Sequence, residues 1–274
     1  MIDAHAHIHD PKFDADREAV LVRAKQLGIE HILTIGTSIE ESYDAIKIAK
    51  EHPGYIFATV AVHPHEYTKL PSQNVRNAWK KELEVLAQEK IVVAVGECGL
   101  DYHAFGGFEV SEEQKSAQKE GFLDHLHLAK KVQKPLVIHA RESYKDVFEI
   151  IQEYRDAIPF FILHCYQGDR EITKQFLHLS KNIFFSFAGN ITYPVKKSLE
   201  GSKNDPREVL QIIPLERILV ETDCPYLAPQ SQRGKRNEPT YVFETAEFIA
   251  KTKKESKERV MHMFKENTQC VFSL

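Results

Sequence analysis

His5 and His7 lie two residues apart near the start of the chain, and Glu97, His139, His164 and Asp223 each close a short apolar run further along. Imidazole nitrogens and carboxylate oxygens are donors that Zn²⁺, Mn²⁺, Ni²⁺ and, less readily, Mg²⁺ accept. Side chains two apart on a strand share a face, so a strand over residues 2–8 would present His5 and His7 together. A lone histidine is more often a satisfied core residue. A His-x-His pair backed by further strand-end donors points instead to one or two divalent ions held where the strands converge.

The elements that would position these donors alternate through the sequence. Runs rich in Val, Ile and Phe predict strands at Ile2–Ile8, His31–Gly36, Ile56–His63, Val92–Glu97, Pro135–His139, Phe160–His164, Ile183–Phe187 and Ile218–Asp223. Such continuous apolar runs suit parallel strands covered on both faces. Between them, amphipathic spacing predicts helices at Asp16–Leu27, Glu40–Glu51, Asn74–Lys90, Ser111–Val132, Tyr144–Tyr154, Arg170–Lys181, Pro206–Ile213 and Tyr241–Lys254, with one more at Lys257–Asn267. Gly28 reads as a helix stop and Ser111 with Gln114 as a capping box. Eight strands alternating with eight helices predict an α/β fold, a (β/α)₈ TIM barrel formed as a single domain over residues 1–274. An open doubly wound sheet is the alternative, but no Gly-rich phosphate loop supports it. In the barrel every proposed ligand falls at the C-terminal mouth of the strands, where such folds keep their chemistry.

Bulk properties narrow the function classes. Forty acidic against 36 basic residues give a net charge of −4, unlike a protein that coats nucleic acid, although a local cationic site would suffice for an enzyme. No apolar run approaches the roughly 20 residues of a membrane span, and the N-terminus lacks the pattern of a secretory signal. Cys98, Cys165, Cys224 and Cys270 fit neither a CxxC zinc site nor a disulfide framework, and read as reduced thiols of a cytoplasmic protein. The first three each follow a proposed ligand by one residue, so strand alternation predicts that they point outward against the helices.

The motifs resemble those of the TatD family of metal-dependent deoxyribonucleases, within the amidohydrolase-like barrels. They are IDAHAHI at 2–8, VHPH at 62–65, VGECGLDY at 95–102, IHAR at 138–141, HCY at 164–166, ETDCPYLAP at 221–229 and RGKRNEP at 233–239. The helix EEQKSAQKEGFLDHLHLAKK before the fifth strand is similar too. The resemblance implies two divalent metal ions: one on His5, His7, Glu97 and Asp223, the other on Glu97, His139 and His164, with Glu97 bridging. It implies hydrolysis of DNA, from an end or in single-stranded regions, with no membrane and no obligate protein partner. Glu97 stands where many amidohydrolases carry a carboxylated lysine, which favours the nuclease over the alternative, hydrolysis of another small ester, lactone or amide. Ala61 replaces the family's usual Gly, and His9 stands where Asp is frequent. His9 reads as a loop residue, with an accessory ligand or a substrate contact as its alternative.

Two ions so held would activate a water for in-line attack on phosphorus, with Asp223 orienting that water and taking its proton. Phosphodiester cleavage also needs donors to the non-bridging oxygens. Arg141 shares the facing of His139 and is the candidate phosphate contact. His63, in a Pro-fixed turn, is a candidate proton donor or phosphate contact, and His65 a substrate contact or a cap. Arg233, Lys235 and Arg236 form the densest basic run, placed after the last strand where a nucleic acid backbone could reach them. Glu221 reads as structural, Asp101 as an outer partner of the site, and Tyr102 as a candidate base-stacking ring. His125 and His127, two apart on a helix, point apart and cannot share a metal.

Overall fold

The structure, a computed structural model, describes residues 1–70, 72–104 and 109–274. Eight strands follow one another around a parallel sheet in chain order: β1 (Ile2–Ala6), β2 (His31–Ile35), β3 (Ile56–Val60), β4 (Val92–Asp101), β5 (Leu136–Arg141), β6 (Phe161–Leu163), β7 (Ile183–Phe187) and β8 (Ile218–Val220). The seam between the last strand and the first is closed just beyond β8. There the Asp223 N–H donates to His5 O at 2.9 Å, and the His7 N–H donates to Cys224 O at 2.7 Å. Below them the buried Asp3 carboxylate accepts from the Thr222 N–H and hydroxyl at 2.9 and 2.6 Å. The expected barrel is therefore the fold.

Helices α1 (Arg17–Gln26), α2 (Ile39–Glu51), α3 (Pro64–Tyr67), α4 (Gln73–Leu86), α5 (Glu112–Val132), α6 (Tyr144–Ile151), α7 (Arg170–Leu179), α8 (Pro206–Ile212), α9 (Val242–Lys253) and α10 (Lys257–Phe272) fill the connections. Their starts are set by local chemistry. Ser38 and Asp169 accept from the first-turn N–H groups of α2 and α7, and Ser111 with Gln114 makes the expected capping box on α5. The short α3 was not legible as a helix. Pro64 occupies its first turn, and the His63 side chain caps it. Among the described residues no helix is long and apolar enough to cross a membrane.

Alternation along the strands divides the core in two. One set, including Ile32, Ile56, Val60, Ile138, Leu163, Phe185 and Val220, packs outward against the helices. The other fills the lumen with Leu33, Val137, Ile162, Phe184 and Leu219, and α10 plugs it with Val271 and Phe272. Two residues above this apolar floor, the same strand faces carry His139, His164, Ser186 and Glu221, and two further on lies Asp223. The lumen thus changes from oil to titratable groups within one pleat, at the C-terminal end.

Two strands break the alternation. In β1 the register against β2 shifts between Asp3 and Ala6, and in β4 the register against β5 shifts between Val95 and Cys98. Glu97 does not end β4 as expected: the strand resumes and pairs with β5 through Asp101 and Arg141. Glycine permits this close approach. A Cβ at Gly99, whose φ is +140°, would fall 2.1 Å from His139 O.

Candidate metal centre

Glu97 sits at the middle of the mouth, and its two oxygens face different histidines. Oε2 lies 3.3 Å from His5 Nε2. Oε1 lies 2.6 Å from His139 Nδ1 and 3.0 Å from His164 Nε2. Asp223 stands opposite, with Oδ1 3.3 Å from His7 Nε2 and 3.5 Å from His5 Nε2. All six expected ligands thus converge on one bowl.

Outer partners aim these rings. His7 donates from Nδ1 to Ile35 O at 3.2 Å, which leaves Nε2 to face Asp223. His164 Nδ1 lies 3.1 Å from Glu221 Oε1, and Nε2 again faces the centre. His139 Nε2 lies 3.1 Å from Asp101 Oδ2, so its Nδ1 is the free donor atom. Holding one imidazole nitrogen by a carbonyl or carboxylate fixes the tautomer and strengthens the other as a ligand. Glu221 also accepts from the Cys165 N–H at 2.7 Å and the Ser186 hydroxyl at 2.5 Å. Three donors thus occupy its two oxygens and favour an orienting part toward His164, although its oxygen also lies within ligand distance of His5 and His164.

His5 provides the test of whether a metal fits. Its ring is 1% exposed and neither nitrogen has a hydrogen-bond partner, although Nε2 lies between two carboxylates. A buried polar atom without a partner is costly, and an imidazole facing two carboxylates is the donor set of a divalent ion. The donors present therefore fit a metal.

In the metal-free bowl, burial opposes protonation of His7, His139 and His164, yet the carboxylates beside them raise all three above the usual imidazole value, so an ion would have to displace those protons. Burial opposes ionisation of Glu97, but His164, His139 and His5 around it hold its carboxyl well below the usual range. Burial also works against the Asp223 anion, and the His7 hydrogen bond with the neighbouring histidines still pulls its pKa down. Burial and the nearby His164 push the His5 imidazole down, toward the neutral form that binds metal. Burial, with His139 second, pushes His63 down to about 3. The His63 Nδ1 accepts from the His65 N–H at 3.2 Å, so the ring hydrogen sits on Nε2. His63 is then a neutral donor 3.7 Å from Glu97 Oε1, although its nitrogen also lies close enough to Glu97 and His139 to share an ion with them.

A cavity of about 660 Å³ opens above the centre, and His7, His63, His65, Glu97, His139, Arg141, His164 and Asp223 border it. His9 borders it too. It is buried, with Nδ1 2.9 Å from Thr34 Oγ1 and Nε2 3.9 Å from Glu41, which accounts for both nitrogens. His65 reaches Asp101 Oδ2 at 3.2 Å, so one carboxylate steadies both His65 and His139.

Some expectations need correction. Cys98 and Cys224 point outward into the core as alternation requires, but Cys165 borders the cavity. β6 stops at Leu163, and Cys165 takes a φ of +43°, which turns its side chain inward. Arg236, expected as a substrate contact, does not border the cavity. Its guanidinium grips Asp16 at 2.8 and 2.7 Å and lies over the Phe13 ring, which ties the 233–239 segment to the start of α1. Arg233 and Lys235 do not border the cavity either, although Arg233 lies 4.5 Å over the ring of Tyr193, which does. Tyr102 does not border it; its hydroxyl donates to Asp146. Asn190, Tyr193 and Tyr226 also line the cavity; the first two lie in no motif, and Tyr226 falls within ETDCPYLAP without having been singled out.

A family profile described as TatD related DNase matches residues 2–273. The chain belongs to the TatD family. It is 36% identical over 274 residues to YabD of Bacillus subtilis, described as an uncharacterised metal-dependent hydrolase, covering 100% of this chain and 99% of that protein. It is 32% identical to the TatD of Pantoea ananatis, described as a 3'-5' ssDNA/RNA exonuclease, with 100% of both chains covered. Among solved structures, the TatD homologue YJJV of Escherichia coli K12 superimposes with a TM-score of 0.85 at 26% identity, covering 100% of this chain and 98% of that one. Membership in the TatD family makes the chain a metal-dependent hydrolase, with a bowl of metal-ligating side chains at the strand mouth. In the TatD motifs read here, Asn237 has a mechanical part. Its buried amide donates to Thr222 O and Tyr226 O at 2.7 and 2.6 Å, holding the turn in which Asp223 takes a φ of +55°.

Proposed function

We propose that this chain is a phosphodiesterase that removes nucleotides from single-stranded nucleic acid, working as one catalytic unit over residues 1–274 with two divalent ions. The observation that carries the reading is the division of Glu97 between two histidine groups, one oxygen toward His5 and the other toward His139 and His164. His5, His7, Glu97 and Asp223 would hold one ion, and Glu97, His139 and His164 the other. Imidazole and carboxylate donors suit Zn²⁺, Mn²⁺ or Ni²⁺ better than Mg²⁺. Bound there, the ions supply an activated water and offset charge on the reacting phosphate.

The chain's own groups do the rest. Asp223 faces the cavity, with 14% of its side chain exposed against 6% for Glu97, and is placed to orient a water and take its proton. His63 presents its Nε2–H to a phosphate oxygen. Arg141, exposed beside the cavity, supplies positive charge to the same group, and His65 borders the path by which substrate enters. Arg233 and Lys235 lie further out, where the trailing strand would pass. The named activity of the Pantoea ananatis relative supports single-stranded nucleic acid as substrate.

The test is metal analysis combined with two substrates. Chelator-stripped protein reloaded with Zn²⁺ or Mn²⁺ is expected to retain up to two ions per chain, and to cleave both a labelled single-stranded oligonucleotide and bis-p-nitrophenyl phosphate. A folded protein that retains no ion, or a loaded one that spares both phosphodiesters, refutes the reading.

A further inference from the structure

Six large apolar or aromatic side chains are strongly exposed among the described residues: Val22, Leu27, Tyr43, Val75, Val85 and Tyr226. Five belong to α1, α2 and α4 or their ends. Tyr226 alone borders the cavity, at 46% exposure. Its ring is also fixed in place. The hydroxyl donates to Asp10 Oδ2 at 3.0 Å, and the Lys12 ammonium stands 4.2 Å over the ring centre. The His7 ring meets it edge-on at 6.0 Å, so Tyr226 stands directly beside a proposed ligand.

Tyr193 repeats the arrangement on another segment of the rim. It borders the same cavity, its hydroxyl donates to Ala228 O at 2.9 Å, and the Arg233 guanidinium lies 4.5 Å over its ring. Two tyrosines, each tethered through its hydroxyl and each with a cation on its ring, therefore stand at the mouth. An aromatic face bordering water beside a cation is the combination that binds single-stranded nucleic acid: the ring stacks on a base and the cation serves the backbone. Tethering removes rotamer freedom before binding, so little ordering entropy remains to oppose it.

We propose that Tyr226 and Tyr193 form a nucleobase-stacking clamp at the cavity mouth, so that the site reads a terminal nucleotide through its unpaired base as well as its phosphate. This rests on the nuclease reading and deepens it. A base held in a duplex is stacked on its neighbours and has no free face to offer, so the clamp selects frayed or single-stranded ends. Phosphate alone would not discriminate, since duplex and single strand carry the same group. The clamp is thus a determinant of specificity, separate from the metal ligands.

The experiment compares a short single-stranded oligonucleotide with the same molecule carrying abasic residues at both ends, using metal-loaded protein. Base stacking on an aromatic side chain is worth roughly 10- to 100-fold per base. The wild type is expected to favour the base-bearing ends by that factor in kcat/KM. Tyr226→Ala should shrink the preference to a few-fold, while Tyr226→Phe, which keeps the ring, should retain most of it. Tyr193→Ala should reduce the preference in the same direction. Equal rates of the wild type on the two oligonucleotides overturn the clamp. So does a Tyr226→Ala protein that is slower on both but keeps the preference, because the ring would then be serving His7 instead. If the wild type cleaves neither oligonucleotide, the nuclease reading falls and the clamp with it.

Discussion

Glu221 offers the sharpest separation between a residue that holds the fold and one that aims a ligand. Its carboxylate, 0% exposed, accepts from His164 Nδ1, the Cys165 N–H and the Ser186 hydroxyl. Glu221→Ala would leave three buried donors without partners. At ~1–3 kcal/mol each, softened by rotation of the hydroxyl, that predicts a loss of about 3–6 kcal/mol of stability. Glu221→Gln is the informative change. The amide oxygen can remain toward His164 and Cys165, and its NH₂ can face Ser186, whose hydroxyl then accepts. Shape and hydrogen bonds survive, and what disappears is the negative charge that makes His164 a better electron-pair donor. Loss of such an outer partner typically costs 10–100-fold in metal affinity or activity. We expect Glu221→Gln to unfold within about 4 °C of the wild type when both are metal-free, a stability change of ~1 kcal/mol for a chain of this size. Competition with a chromophoric chelator should show one ion bound 10- to 100-fold more weakly and the other nearly unchanged. If both ions bind with wild-type affinity and bis-p-nitrophenyl phosphate turns over normally, the orienting role is wrong and Glu221 belongs to the fold alone.

Three further outcomes are expected. Asp223→Asn should fold normally and lose roughly 10²-fold or more in kcat on both phosphodiester substrates, the scale of general acid–base catalysis; near-full activity would remove Asp223 as the base. The buried His125 accepts from the Val62 N–H at 2.9 Å while its Nδ1 donates to Gly121 O at 2.7 Å, so both nitrogens are satisfied only in the neutral ring. Burial pushes its pKa down to about 4, from 6.5 in the unfolded chain. The unfolded state therefore takes up a proton first as pH falls, and the stability His125 contributes is full above pH 6.5 and is lost progressively down to about 4. The loss relative to His125→Gln should reach ~3 kcal/mol in urea unfolding of metal-free protein, and a flat difference between the two proteins across that range would refute it. Finally, Arg233→Ala with Lys235→Ala should raise KM for an oligonucleotide and reduce its log–log salt slope by about 0.7 per lost phosphate contact, whereas Arg236→Ala, which breaks the Asp16 grip, should leave the slope alone; kinetics at several salt concentrations distinguish the two.

The barrel was legible because β5, β6 and β8 keep strict alternation. Val137 and His139, Ile162 and His164, and Leu219, Glu221 and Asp223 share the lumen face, and a reading of parity places them there. β1 and β4 do not keep it, because their registers shift next to His5 and Glu97. Those two were found by residue type and motif, and the position of Glu97 within a longer β4 was missed for the same reason. The outer partners were partly hidden. Glu221 was read as structural, but its grip on His164 depends on where β6 ends, which no periodicity marks. The end of β6 at Leu163 also turned Cys165 into the cavity. Tyr193 was invisible, and Tyr226 stood within the ETDCPYLAP motif with nothing to mark its role, since irregular loops place both and a tyrosine in a loop carries no spacing signal. A basic run looks the same in sequence whether its charges face solvent or, as at Arg236, pair with Asp16.

These two kinds of residue divide the work of the site. The strand-borne set comes from β1, β4, β5 and β6 and from the short extension of β8, and it supplies metal-binding chemistry that would serve many hydrolysable bonds. Barrels of this shape recur at far lower identity, including the organophosphorus hydrolase of Deinococcus radiodurans at TM-score 0.64 and 13% identity, which shows the fold alone. A fold does not by itself select a substrate. Selection must come from what differs at the rim, which here is built by the segment after β1 with Asp10 and Lys12, the segment after β7 with Tyr193, and the segment after β8 with Tyr226 and Arg233. The centre is rich in carboxylates and the rim pairs cations with aromatic rings. On the proposed nuclease reading, the rim would meet the bases of a single strand, and bound divalent ions would add positive charge for its phosphate among the carboxylates of the bowl. We therefore expect metal loading to raise affinity for an oligonucleotide, with metals bound first and nucleic acid second. An oligonucleotide that bound the stripped protein as tightly as the loaded one would contradict that order.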